Sequence, residues 1–219
     1  MQDWSFGSRL ERLRRTKLAE TREKQEVLGA MNYDDWSLVL PPAEDRDLVK
    51  VTSPSGIPIT DCRLRSFRPE PNHPSGGFFG AESVGGNFRR LLETHPVFID
   101  PDSSLAGAYM TNFSSYRRPH WNPELPFAHL AADHERYALG HGIGAMQHFC
   151  QDFAIGLRDG WLTLLRKVRY YRGEYDADPA RLAFSRGLEH VILGMRSWIG
   201  RHAESAGERA AAEPDSDRA

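Results

Sequence analysis

Residues 140–172, GHGIGAMQHFCQDFAIGLRDGWLTLLRKVRYYR, join a histidine-bearing glycine turn to a long apolar period. Phe153, Leu157, Gly160, Trp161, Leu164, Leu165, Val168 and Tyr171 recur mainly at steps of three and four. A 3.6-residue turn gathers such positions on one side, so the spacing predicts an amphipathic helix opening at Asp152. Arg158, Asp159, Arg166, Lys167 and Arg169 fall largely elsewhere on it. Just upstream, Gly140, Gly142 and Gly144 permit backbone angles closed to other residues, and His141 and His148 flank the turn. A helix mouth with imidazoles and a carboxylate is a candidate ligand site.

The rest of the chain sets what that helix packs against. With 219 residues, 40% of them hydrophobic, the chain is long enough to bury a core as one large domain or two small ones. A formal net charge of -2 offers no concentrated basic face for nucleic acid or an anionic membrane. No apolar run approaches the roughly 20 residues of a membrane span, and the start MQDWSFGSRL has no apolar signal core. A cytoplasmic location is the expectation. Cys62 and Cys150 are too few for a disulfide framework and form no Cys-x-x-Cys pair, so both are expected to be small buried thiols.

Ser8 and Glu11 fit a capping box, which predicts a helix from about Arg9 to Gly29 or Met31 with a solvated charged face. From residue 32 to 86, prolines at 41, 42, 54, 58, 69, 71 and 74 and a crowd of glycines forbid a long helix. Short extended pieces are expected at 37–40, 48–52 and 61–67, the whole segment wrapping over a larger body. Asn87 is read as the N-cap of a short helix over 88–94, followed by a buried strand at 97–99 and a turn at Asp100, Pro101 and Asp102. The aromatic and proline-rich loop at 111–128 packs on neighbouring surface or lines a pocket. Asp178 and Pro179 begin a last helix whose apolar stripe runs from Leu188 to Ala206. No later element covers that stripe, which predicts a further body beyond Ala219. The resulting divisions are 1–31, a surface helix; 32–86, a wrapping segment; 87–212, a helical region; and 213–219, a polar tail. The fold class expected is mainly α with a few short strands.

Chemistry-bearing side chains are densest at His129, Asp133, His134, Glu135, His141, His148 and Asp152. His134 and Glu135 open like a zinc-protease helix, but Ala138 stands where the second histidine is needed. No metal ligand set is assigned, although imidazoles and carboxylates from this cluster can converge in space. His148 lies two residues from Cys150, a spacing that does not pair a thiol with its base. P-loop, dinucleotide and nucleophile-elbow patterns are absent from the sequence.

Two stretches resemble the amino-terminal part of the pyruvate formate-lyase-like glycyl radical enzymes. HPVFIDPDSSLAG, residues 95–107, is similar to that family's buried strand and small-residue step. His148, Asp152, Phe153, Gly160 and Trp161 are similar to its histidine, Asp-aromatic pair and Gly-apolar step, with Gln147 where the family commonly has glycine. The last helix also resembles the family segment that leads into the next helix. The resemblance implies the N-terminal helical portion of an α/β barrel whose chemistry, radical cleavage of a C–C, C–O or C–N bond, uses a cysteine thiyl and a stored glycyl radical. The family's Gly-Cys-x-Glu motif is matched by neither Cys62 nor Cys150, and its Arg-Val-x-Gly-aromatic loop is missing from the sequence. A truncated, by itself inactive relative is therefore expected, with no catalytic residue and no bound cofactor. The resemblance makes His148 and Asp152 substrate-binding candidates. Asp152 as a helix cap is the alternative role. Its implied partners are the missing C-terminal part, or a second copy. Two other functions stay open: a stand-alone helical module that docks on a partner or on itself, and a small metal-dependent enzyme built on the histidine cluster.

Overall fold

The computed structural model describes residues 5–29, 39–52, 58–103, 113–117, 123–124, 128–138, 152–175 and 177–214. They form a mainly helical molecule with a small two-stranded antiparallel sheet. The elements are α1 (Phe6–Leu28), β1 (Arg46–Thr52), β2 (Pro58–Leu64), α2 (Ala81–Thr94), α3 (Ala131–Arg136), α4 (Phe153–Glu174) and α5 (Pro179–Ala212). No helix of the described residues is long and apolar enough to cross a membrane.

The strands pair from Arg46 opposite Leu64 to Thr52 opposite Pro58. Strand alternation puts Cys62 and Leu64 on the buried side of β2. Leu64 joins Phe67, Phe78, Leu91 and Tyr116 in one core cluster, with Phe88 of α2 packed against it. Tyr116 completes that cluster by accepting the Leu64 amide at its hydroxyl, 2.6 Å away. Cys62 lies in a second cluster with Leu28 and Leu40. The loop reading is thereby decided for Tyr116, which is core. His120 and Trp121 lie outside the described residues.

Four local expectations are corrected. Helix α1 is capped by Ser5, whose Oγ accepts the Ser8 amide, and not by Ser8. Its cations are not simply solvated: Lys24 is buried, while Arg12 and Lys17 reach Asp102 and Asp100. Helix α2 starts at Ala81, not after Asn87. Asn87 lies inside it and clamps the wrapping segment, its Nδ2 donating to the Glu70 carbonyl at 2.9 Å and its Oδ1 accepting the Glu70 amide at 2.7 Å. Residues 96–100 pair with no strand. Side chains of α5 hold them instead: the Phe98 amide donates to His202 Nε2 at 3.2 Å, and Arg209 donates to the Ile99 carbonyl at 2.9 Å.

Helix α5 organises the packing. Its most extensive neighbour is α2, followed by α4. Gly85 of α2 and Gly187 of α5 let the two backbones touch, since a Cβ on Gly187 would lie 2.3 Å from the Ala81 carbonyl oxygen. Asp178 opens α5 as expected, its Oδ1 accepting the Ala180 amide at 2.9 Å and the Arg181 amide at 3.2 Å, with Pro179 in the first turn.

Candidate functional site

Helix α4 begins where the spacing places it. Asp152 is exposed, and its Oδ1 accepts the Ala154 amide at 2.9 Å. The carboxylate thus satisfies one of the helix's orphan donors at its positive end. His148, the other substrate-binding candidate, lies outside the described residues, as do His141 and Cys150. Of the remaining cluster, His129 sits in a 3₁₀ turn, Ala128–Leu130, and Asp133 and Glu135 are exposed on α3. Among the described residues no three His, Cys, Asp or Glu come together as metal ligands.

The helix bends once. Gly160 has φ 65° and ψ 165°, a conformation that only glycine adopts without strain, and it sets Phe153–Asp159 off from the longer arm that follows. Asp159 pairs with its neighbour Arg158 at 2.9 Å and, across the bend, with Lys167. Those two hydrogen bonds, Arg158 first, hold its carboxyl down at about 2.

Beyond the bend, α4 and α5 enclose an open groove of about 590 Å³. Its walls are Trp161, Leu164, Val168 and Tyr171 from α4 and Phe184 and Leu188 from α5, with Lys167 and Arg181 at its polar margin. Tyr175 closes one end, stacked on Tyr171, with the Arg181 guanidinium 4.8 Å from its ring centre. Leu165 and Ile192 are buried, whereas Phe184 is 57% and Tyr171 53% exposed. Helix period alone identifies the α4 wall. The stripe read on α5 starts at Leu188 and misses Phe184, although Phe184 lies four residues before Leu188, and Val191 and Ile192 lie three and four after it.

A second cavity, of about 410 Å³, lies between α2, α5 and the segment at Glu70. Its charges serve the fold: Arg90 meets Glu70 at 2.8 Å and Arg89 meets Glu93 at 2.7 Å.

The described cysteine is a core thiol. Cys62 is 2% exposed, faces Leu28 and Leu40, and its thiol is pushed up to about 11 by burial. It opens on none of these cavities. Compared with family models, with curated proteins and with solved structures, the chain matches none.

Proposed function

We propose that this chain forms a non-catalytic helical wall of a pyruvate formate-lyase-like glycyl radical assembly and carries out no radical step by itself. The groove between α4 and α5 is the observation that carries this reading. A small-molecule site needs a few convergent polar groups in an apolar enclosure. Here the described lining offers Lys167, Arg181 and Ser185, and the two cations already face Asp159 and Asp178. Open aromatic side chains along two helices are suited to packing against another body.

The family likeness adds what that body is. Its landmarks here, Asp152, Gly160 and Trp161, fall at the cap of α4, at its bend and at the head of the groove. They set the direction of the wall, a positioning task that needs no reactive atom. Substrate contact by His148 is part of the same proposal, with Asp152 fixing the helix that follows it.

The genomic sequence that follows the Ala219 codon tests this directly. The expected result is a Gly-Cys-x-Glu motif and an Arg-Val-x-Gly-aromatic loop in the same or an adjacent frame. Neighbouring DNA without either motif overturns the proposal. So does a glycine-centred doublet in the electron paramagnetic resonance spectrum of this polypeptide alone after treatment with a radical-generating activase.

A further inference from the structure

We infer that the α4/α5 groove receives one α-helix of a different polypeptide, amphipathic and flanked by carboxylates. The inference rests on reading this hairpin as a docking wall and adds the chemistry of its partner. Spacing comes first. Trp161, Leu164, Val168, Tyr171 and Tyr175 alternate steps of three and four along α4, and Arg181, Phe184, Leu188 and Val191 do so along α5. That alternation is the 3.5-residue period by which helices mesh knobs into holes. Two such ridges side by side, with Phe184 and Tyr171 more than half exposed, form the seat of a third helix. The α4 ridge spans 161–175, which at 1.5 Å per residue is about 21 Å, or roughly four helical turns.

Charge then selects the occupant. Helix α4 carries Arg158, Arg166, Lys167, Arg169 and Arg172 against Asp159 and Glu174. Its ion pairs leave that excess standing, because Asp159 is shared by Arg158 and Lys167, and Glu189 by Arg169 and Arg172. Arg166 lies on the side of α4 away from the ridge, so Lys167 and Arg181 at the groove's margin carry the charge that an occupant meets first. A second copy seated on this groove would bring cationic flank against cationic flank, which disfavours self-association. A helix with glutamates beside its apolar ridge meets the same flanks with opposite sign. A lipid surface needs a projecting apolar face, whereas this one is concave.

The test uses the full chain and a fluorescein-labelled amphipathic peptide of about 15 residues, with leucine at the ridge positions and glutamate on both flanks. Fluorescence anisotropy is expected to show saturable binding, at least about tenfold tighter than that of the same peptide with lysine flanks, and weakening as salt is raised. The exposed-position variant F184A is expected to weaken binding about tenfold while its thermal melt stays unchanged. K167E is expected to reduce the preference for glutamate flanks. Equal binding of both peptides, or of neither, overturns the inference. So does a dimer by sedimentation at the concentrations used, or tighter association with phosphatidylglycerol vesicles than with the peptide. None of these outcomes depends on what the genomic sequence shows, so the partner chemistry and the family reading fail separately.

Discussion

Gly187 and His95 are two residues whose roles depend on what faces them rather than on their own sequence context. A methyl group on Gly187 would lie 2.3 Å from the Ala81 carbonyl oxygen, so α2 and α5 would have to part. G187A is therefore expected to cost about 1–3 kcal/mol, read as a lower urea midpoint. Gly200, on the same helix, has nothing within 4 Å of an added Cβ. G200A is expected to leave stability unchanged or raise it by about 0.5–1 kcal/mol. Equal gains at both sites would show that helix propensity, not close approach, is measured. His95 is 5% exposed and its imidazole is held down at about 4. Burial is the main cause, aided by the Arg201 guanidinium and His202 and opposed by a hydrogen bond with the Pro96 backbone. A lowered histidine value means that the unfolded chain takes the proton first. Stability from this group is whole above about pH 6.5 and is lost as pH falls from there towards 4, on the order of 3 kcal/mol in all. Chemical unfolding at a series of pH values checks this: H95Q should flatten the slope between those limits, whatever it does to stability at pH 8. An unchanged slope would assign the acid sensitivity elsewhere.

At the scale of elements, the cap of α4 separates a structural Asp152 from a chemical one. D152A is expected to cost about 1 kcal/mol, while D152N, which still offers an oxygen to the Ala154 amide, should cost little. If D152N melts as low as D152A, the negative charge rather than the acceptor matters and the cap account fails. The α4 cap was legible because Asp152 stands directly before an apolar period, and Asp178-Pro179 announced α5 in the same local terms. Local rules gave the wrong start for α2, where Gly85 and Gly86 read as breakers. The close crossing with α5 makes a glycine at 85 an advantage that a single-helix propensity cannot register. Asn87 misled for a related reason. Its amide suits a cap, but here it mimics a strand partner for Glu70, a contact 17 residues away in sequence. The groove was half legible: its α4 wall is periodic, but its other wall depends on which face of α5 is turned to α4. His148 lies outside the described residues, and its place in the candidate site stands on the sequence alone.

Over the whole molecule, one irregular segment fastens α1 to α5. Residues 95–102 are held to α5 by Arg201, which donates to the His95 carbonyl at 2.8 Å, by His202 at Phe98 and by Arg209 at Ile99. The same segment holds α1: Arg9 Nε donates to the Asp102 carbonyl at 2.7 Å, Arg12 Nε to Asp102 Oδ1 at 2.8 Å, and Lys17 lies 3.2 Å from Asp100 Oδ2. At its other end α1 enters the cluster of Leu28, Leu40 and Cys62. The first half of α1 thus depends on an acidic turn, and the second half on apolar burial. Removing the Asp102 carboxylate leaves a guanidinium that is only 17% exposed without its counter-charge. Such a loss costs about 2 kcal/mol for a partly buried pair, less than for a fully buried one. D102A is therefore expected to loosen α1 locally, with amides of residues 6–17 exchanging hydrogen roughly thirtyfold faster. Amides in α2 and α5 should keep their protection, because the contact between those helices does not involve Asp102. If all helices lose protection together, the acidic turn is part of one cooperative core and not a separate fastening. If α1 keeps its protection, burial near Leu28 alone holds it.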